Sequence, residues 1–210
     1  GRWVMEQERN QLLERFNKLA QQLPGVVYQY QLSADGRAWF PYSSQGLRDI
    51  YGVSPAQART SAAAVHEAIH PDDRPSVMAS IQVSAANLSL WRDEYRVQHP
   101  RIGELWLSAK AAPERLENGD VIWHGFITDI TARKQMELTL EHERTRLASI
   151  IQATNVGTWE WNVETGETLI NDRWAAIIGY RQEELRPFHS EHWRDLFHPE
   201  DMAISRALFA

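Results

Sequence analysis

Residues 121–134, VIWHGFITDITARK, decide the fold because they predict a strand that turns directly into a helix. β-branched and aromatic residues alternate along the first part of this stretch, as they do in strands, with Val121, Trp123 and Ile127 set against Ile122, Phe126 and Ile130. Thr131 is a plausible N-cap, and residues 132–140 are mostly good helix formers. Asp129 and Thr131 are therefore expected at a joint between a sheet and a long helix.

Composition limits the classes of function that the chain can have. Its 210 residues suffice for one large domain or two small ones, and its hydrophobic content of 43% is ordinary for a globular protein. The net charge of −6 gives no reason to expect nucleic acid or an anionic membrane as the main partner. The absence of cysteine excludes disulfides, thiolate metal sites and cysteine nucleophiles. No secretory signal is recognised, and no apolar run approaches the roughly 18 residues of a membrane span.

The order of predicted elements favours an α+β domain. Strands are predicted at Val26–Leu32, 37–42, 90–98, 104–111 and 121–130. Short helical turns at 45–52 and 54–58 and a longer helix from about 72 to 87 separate the second strand from the third. Pro41 predicts that the second strand lies at a sheet edge or ends there. An antiparallel sheet with helices against one face accommodates this order.

Two long amphipathic helices flank these elements. In residues 5–23 apolar side chains recur at alternating steps of three and four, with Arg9 in the remaining seam position. The same stepping is found in residues 132–154, at Met136, Leu140, Leu147, Ile150 and Thr154, with Glu143 in the gap. Both helices therefore have a seam of the coiled-coil type.

The stretch around Asp129-Ile130-Thr131 resembles the last core strand of a PAS domain, its closing signature and the signalling helix that follows. The resemblance divides the chain into an N-terminal helix (1–23), a complete PAS domain (24–131), a linker signalling helix (132–154) and the first half of a second PAS domain (155–210). It implies a five-stranded antiparallel sheet and a sensory role in a bacterial signalling protein. That protein would be cytoplasmic or membrane-anchored, with an output domain such as a diguanylate cyclase, a phosphodiesterase or a histidine kinase, and would dimerise through the flanking helices.

An internal repeat supports the second PAS unit. Val26 to Tyr30 align with Gly157 to Trp161, Gly36 with Gly166, Tyr51-Gly52 with Ile178-Gly179, and the HPDD motif at His70 with HPED at His198. Their offsets lie between 127 and 131 residues. Nothing in residues 155–210 corresponds to the last three strands, so this half is expected to be disordered or to borrow an edge from a neighbouring chain.

The resemblance assigns signal transmission to Asp129, Ile130, Thr131 and Arg133. A carboxylate at a strand-to-helix joint can cap the helix, or it can pair with Arg133 or Lys134. A change in how residues 121–130 sit would pass through this joint into the helix.

The fragment itself is not expected to be an enzyme, because it has no phosphate-binding loop, nucleophile elbow or kinase signature.

Aromatic residues are candidates for a ligand cavity between sheet and helices. The residues singled out for the cavity are Tyr28, Tyr30, Tyr51, Tyr95, Trp106 and Trp123. Trp39 belongs to the same set of aromatic residues spread over the proposed core and sheet. They could line a small-molecule site or fill the same space as packing, and packing is preferred because no charged group is committed to the pocket.

Histidine and aspartate residues before the long helix allow a structural and a ligand-binding interpretation. The structural interpretation makes His70, Asp72 and Asp73 a cap for the helix. The alternative makes His66 or His70 an axial haem ligand. Neither a metal nor a resident cofactor is expected, although a flavin- or haem-holding sensor remains a rival. The lack of cysteine excludes the cysteinyl–flavin photochemistry of the light-sensing branch of the family.

Overall fold

The computed structural model describes residues 24–185, together with residues 18, 22, 188, 196 and 198–202. The helix predicted over residues 5–23 lies outside the described residues, except for Lys18 and Gln22. The described chain separates into two compact units, 1–138 and 139–210.

The first unit is built on a five-stranded antiparallel sheet with helices on one face. Its strands are β1 (Val26–Leu32), β2 (Ala38–Ser43), β3 (Trp91–His99), β4 (Gly103–Arg115) and β5 (Val121–Asp129). The order across the sheet is β2-β1-β5-β4-β3, so β5 lies at the centre between β1 and β4. All five predicted strands are present, and the predicted fold class is confirmed.

The edge strand β2 carries the proline that predicted its position. Its pairing with β1 shifts register between Gln29 and Gln31, which face Tyr42 and Trp39. Pro41 has no N–H to donate to a ladder, and it lies in this irregular part of an edge strand.

Four helices lie between β2 and β3: α1 (Gly46–Tyr51), α2 (Pro55–Thr60), α3 (Ala63–Ala68) and α4 (Arg74–Asn87). Ser54 caps α2 by accepting a hydrogen bond from the Gln57 N–H at 3.2 Å. Gly52 ends α1 in the left-handed conformation with φ 72°, and a Cβ there would lie 2.7 Å from the Pro100 ring. This position therefore requires glycine both for its backbone and for its close approach to the β3–β4 turn.

One hydrophobic core holds the sheet and helices of the first unit together. Alternate residues of the strands face it, as the burial patterns of β1 and β4 show. Its largest fully buried side chains are Trp123, Leu47, Leu107, Val26 and Val97.

The chain leaves the sheet through α5 (Thr131–Thr154), a helix of 24 residues with no buried residue. The second unit contains β6 (Trp159–Trp161), β7 (Thr168–Ile170), α6 (Asp172–Ile177) and a 3₁₀ turn at Gln182–Leu185. β6 and β7 form a two-stranded antiparallel sheet, and Ile170, Ala175 and Phe188 form a small core. Whether this unit is disordered or pairs with a second chain stays a prediction.

Candidate functional site

The joint between sheet and helix is held by the backbone of Trp106 on β4. Its carbonyl accepts a hydrogen bond from the Ile130 N–H at 2.8 Å. Its N–H donates to the Thr131 hydroxyl at 3.0 Å. The regular β4–β5 ladder ends at the pair Leu107 and Asp129, so these two bonds extend the pairing into the first residue of α5.

Asp129 completes the joint from the end of β5. One oxygen of its carboxylate accepts a hydrogen bond from the Thr131 N–H at 2.8 Å and another from the Thr131 hydroxyl. The carboxylate thereby satisfies a backbone donor at the helix start, as a cap does. Thr131 is the first residue of α5 rather than the N-cap that the sequence predicted, and its hydroxyl bonds Trp106 and Asp129.

The basic residues that could have paired with Asp129 bind Glu94 on β3 instead. Glu94 accepts from Arg133 Nη2 at 2.7 Å through one oxygen and lies 2.8 Å from Lys134 Nζ through the other. Arg133 also binds Glu137 at 2.8 Å, one helical turn further along. Hydrogen bonds from Lys134 and then Arg133 lower the pKa of Glu94, and the bonds to Glu94 raise the pKa values of Lys134 and Arg133.

Trp106 does not line the cavity for which its aromatic side chain made it a candidate. Strand alternation places it on the outer face of the sheet, because Leu105 and Leu107 on either side of it are buried in the core. There its ring lies 5.2 Å from Lys134 Nζ and 5.7 Å from the Arg96 guanidinium carbon, distances typical of cation–π contacts.

The other candidate aromatics do meet at a cavity between the sheet and the helices. Tyr28, Tyr30, Tyr51, Tyr95 and Trp123 line it. Residues that sequence reasoning did not single out complete the wall, among them Phe40, Trp91 and three residues of α4: Val77, Met78 and Ile81. The alternation of β3, which places Trp91 on the same face as Tyr95, was the available signal for Trp91, whereas the irregular β2 offered none for Phe40.

Three hydrogen-bonded pairs of side chains lie at the cavity. The Tyr51 and Tyr95 hydroxyls share a hydrogen bond of 2.6 Å, and the Trp123 indole donates to the Ser84 hydroxyl at 2.9 Å. The Tyr30 hydroxyl lies 3.2 Å from His66 Nε2. Burial raises the pKa values of Tyr30 and Tyr51, and burial together with the charge of Arg74 lowers the pKa of His66.

The cavity is too small for the cofactors considered above. Its volume of about 30 Å³ exceeds what one water molecule needs and is far below the roughly 300–1,000 Å³ of ordinary ligand pockets. Flavin and haem do not fit among these side chains. His66 Nε2 faces the Tyr30 hydroxyl, and the part of the chain that the structure describes has no cluster of three potential metal ligands.

The predicted cap of the long helix has a different arrangement. Asp73 occupies the N-cap position of α4 but makes no side-chain hydrogen bond to that helix. Its carboxylate instead accepts three hydrogen bonds from Arg96, from the backbone N–H at 2.9 Å, Nε at 3.0 Å and Nη2 at 2.5 Å. The guanidinium attracts the carboxylate away from the helix end and lowers the pKa of Asp73. His70 Nδ1 accepts from the Asp72 N–H at 3.2 Å and so supports the turn before α4.

This architecture defines a class: an α+β domain with a five-stranded antiparallel sheet, helices on one face and an exit helix bound at the end of the central strand. Residues 40–127, from β2 to β5, match the family model described as the PAS fold. The first unit of the chain is therefore a PAS domain, as the sequence resemblance implied.

Comparison with curated proteins finds a relative in Sinorhizobium fredii (strain NBRC 101917 / NGR234). The protein y4lL of that organism is 26% identical over 145 residues, which is 68% of this chain. The chain spans 17% of the length of that relative.

Similar solved structures come from several signalling proteins. A sensory box histidine kinase/response regulator from Burkholderia thailandensis is 23% identical, with a TM-score of 0.44 over 59% of this chain and 91% of that chain. The N-terminal domain of a diguanylate cyclase with a PAS/PAC sensor from Marinobacter aquaeolei is 17% identical, with a TM-score of 0.44 over 51% and 98%. A LOV domain of a blue-light activated histidine kinase from Erythrobacter litoralis is 11% identical, with a TM-score of 0.41 over 52% and 99%. None of the helices in the described part of the chain combines the length and the apolar composition that a membrane span requires.

Proposed function

We propose that this chain is a sensory module that passes a change in its PAS core through the Asp129–Thr131 joint into α5, and from there to an output domain. The observation that carries the proposal is the bonding of Thr131, whose hydroxyl connects β4 and β5 to the first turn of the helix. A shift of β4 against β5 changes the geometry of these bonds, so the start of α5 must follow it or lose them.

The module would act as a homodimer through its flanking helices. Met136, Leu140, Leu147 and Ile150 are 48–68% exposed on α5 and recur at steps of four, seven and three residues. A second copy of the same helix would cover this seam by coiled-coil packing. A rotation or register change at Thr131 would then alter the spacing of two output domains. Those domains would be diguanylate cyclases, phosphodiesterases or histidine kinases of a cytoplasmic bacterial signalling pathway.

A second candidate function is a ligand-free spacer that joins two output domains at a fixed distance. The small cavity favours it, since about 30 Å³ leaves no room for a metabolite beside the aromatic side chains. In the sensory case, a partner protein or a ligand that displaces those side chains would supply the input.

A cavity-filling variant separates the two candidates. Val77→Ile adds one methylene to α4 at the cavity wall. In a sensory module the full chain should then exchange the backbone amides of residues 132–138 at a changed rate, as measured by hydrogen–deuterium exchange. An unchanged rate in that segment, with the variant folded, supports the spacer.

The role of the joint is tested by Asp129→Ala, with Asp35→Ala as its matched control. Both carboxylates accept a hydrogen bond from the backbone N–H two residues later, Asp35 from Arg37 at 3.2 Å. We expect Asp129→Ala to speed exchange in residues 132–138 and to leave the core strands protected, whereas Asp35→Ala affects only the β1–β2 turn. Equal loss of protection in α5 and in the core for Asp129→Ala would contradict the proposal.

A further inference from the structure

The start of α4 and the first turn of α5 are connected by side chains on the outer face of the sheet, apart from the backbone route through β5. α4 forms part of the cavity wall through Val77, Met78 and Ile81. Any change in how the cavity is filled therefore acts on α4 as well as on the central strand.

The first connection leads from α4 to β3. Asp73 precedes α4 and binds Arg96 through three hydrogen bonds, two of them from the guanidinium. The side chains of Asp73 and Arg96 are 20% and 26% exposed, so this pair is partly shielded from solvent. The guanidinium must therefore move with the beginning of α4.

The second connection leads from β3 to α5 across an indole ring. Arg96 and Trp106 are direct partners in the β3–β4 ladder, and the guanidinium lies over the Trp106 ring. The ammonium of Lys134 lies over the same ring. Lys134 is held in turn by Glu94, which is two residues before Arg96 on β3 and on the same outer face.

We propose that Asp73, Arg96, Trp106, Lys134 and Glu94 form a relay that couples the position of α4 to the orientation of the first turn of α5. This inference rests on the proposed sensory function and names a second route for its signal. Trp106 is the positioning residue of the relay, because its backbone binds Ile130 and Thr131 while its ring contacts both cations. Through this route a displacement of α4 reaches the exit helix even if β5 does not move.

The relay predicts a specific non-additivity between sites at its two ends. In the full chain, Asp73→Ala should raise the hydrogen-exchange rates of residues 132–138 by about fivefold, the lower part of the range for coupled sites. In a Lys134→Met background, which keeps the side-chain stem but removes the ammonium, Asp73→Ala should have no further effect on that segment. Asp72→Ala is the matched control, because Asp72 is 76% exposed and its closest approach to Arg96 is 4.0 Å.

Additive effects of Asp73→Ala and Lys134→Met on the segment would overturn the relay. If Asp73→Ala does not fold, the same test of additivity can be made with Asp73→Asn, which keeps the shape of the carboxylate. Trp106→Leu then takes the place of Lys134→Met as the second variant. Failure of the relay is distinguishable from failure of the proposed function. In the first case Asp129→Ala still loosens residues 132–138, and in the second case neither Asp129→Ala nor Val77→Ile changes them.

Discussion

Trp106 donates its backbone N–H to the hydroxyl of Thr131 at 3.0 Å, so the first residue of the exit helix replaces the ladder partner that β5 no longer supplies. The same hydroxyl donates to Asp129. A hydroxyl can accept and donate at once, which neither a methyl nor a carboxylate can do at this place. The chemistry of one side chain thus explains why threonine suits a junction where a sheet becomes a helix.

Thr131→Val should weaken this junction while preserving the shape of the side chain. The variant leaves the Trp106 N–H without its acceptor, which typically costs about 1–3 kcal/mol for a shielded donor. We expect a lower free energy of unfolding by urea denaturation and faster amide exchange at Trp106 and residues 132–138. Thr128→Val is the control, because the Thr128 hydroxyl lies 3.4 Å from its acceptor, the Ser108 carbonyl, and contributes little. A Thr128→Val loss as large as that of Thr131→Val would refute the argument.

Glu94→Gln should loosen the first turn of α5 by removing the anion that Arg133 and Lys134 share. The groups are partly exposed, so the expected loss is small, about 0.5–1 kcal/mol, and it should shrink at high salt. Glu137→Gln is the control, since it removes contacts within the helix but leaves the strand-to-helix pairs intact. Exchange of residues 132–138 should rise more for Glu94→Gln than for Glu137→Gln.

The pKa of Glu94 adds a pH dependence with a defined sign. Hydrogen bonds from Lys134 and then Arg133 lower this pKa in the folded protein relative to the unfolded chain. Its contribution to stability is therefore present above the ordinary glutamate pKa of about 4.5 and is lost as the pH falls through the folded value. Wild-type protein and Glu94→Gln should converge in stability as the solution becomes acidic, and a gap that persists in acid would count against these ion pairs.

Strand periodicity predicted the sheet well because β1, β3 and β4 each have buried and more exposed residues in alternation. β1 was predicted with its observed bounds, and the others differ by a few residues at their ends. Periodicity separates two faces of a strand but does not say which one meets the helices, and this explains the error at Trp106. An aromatic residue suggested the core, yet here two cations cover the ring on the outer face.

The partners of charged residues were the part of the site that sequence could not provide. Asp73 was expected to cap α4, and Asp129 either to cap α5 or to pair with Arg133 or Lys134, because those residues are neighbours in the chain. In the structure Asp73 binds Arg96, and Arg133 and Lys134 bind Glu94. Strand pairing brings Glu94 and Arg96 on β3 close to the end of β5, where α5 begins. Contacts over 20 to 40 residues depend on the register of three strands. That register is set by the turns and by the matching of buried faces, so neighbours in the sequence do not reveal these contacts.

The single variant Tyr51→Phe should destabilise the PAS core more than the double variant Tyr51→Phe/Tyr95→Phe does. Tyr51 and Tyr95 are 2% and 3% exposed, and their hydroxyls bond each other at 2.6 Å. Removing one hydroxyl leaves the other buried without that partner, at a cost of about 1–3 kcal/mol, whereas removing both avoids the unpaired group. We expect urea denaturation to show that the double variant Tyr51→Phe/Tyr95→Phe loses less stability than the sum of the two single losses. Strict additivity would mean that each hydroxyl finds another partner in the cavity.

His66 should make the core less stable in mild acid. Burial, together with the charge of Arg74, lowers its pKa in the folded protein below the ordinary histidine value of 6.5. The unfolded chain therefore binds a proton first as the pH falls, and the free energy of unfolding declines below about pH 6.5. Because a single proton is involved, this decline is at most about 1.4 kcal/mol per pH unit. Above that pH the residue is neutral in both states and contributes no slope.

His66→Gln keeps a group that can bond the Tyr30 hydroxyl but does not titrate, so its free energy of unfolding between pH 7.5 and 5 should fall less than that of the wild type. If His66→Gln loses as much stability as the wild type over this range, another group is responsible for the acid sensitivity of the fold.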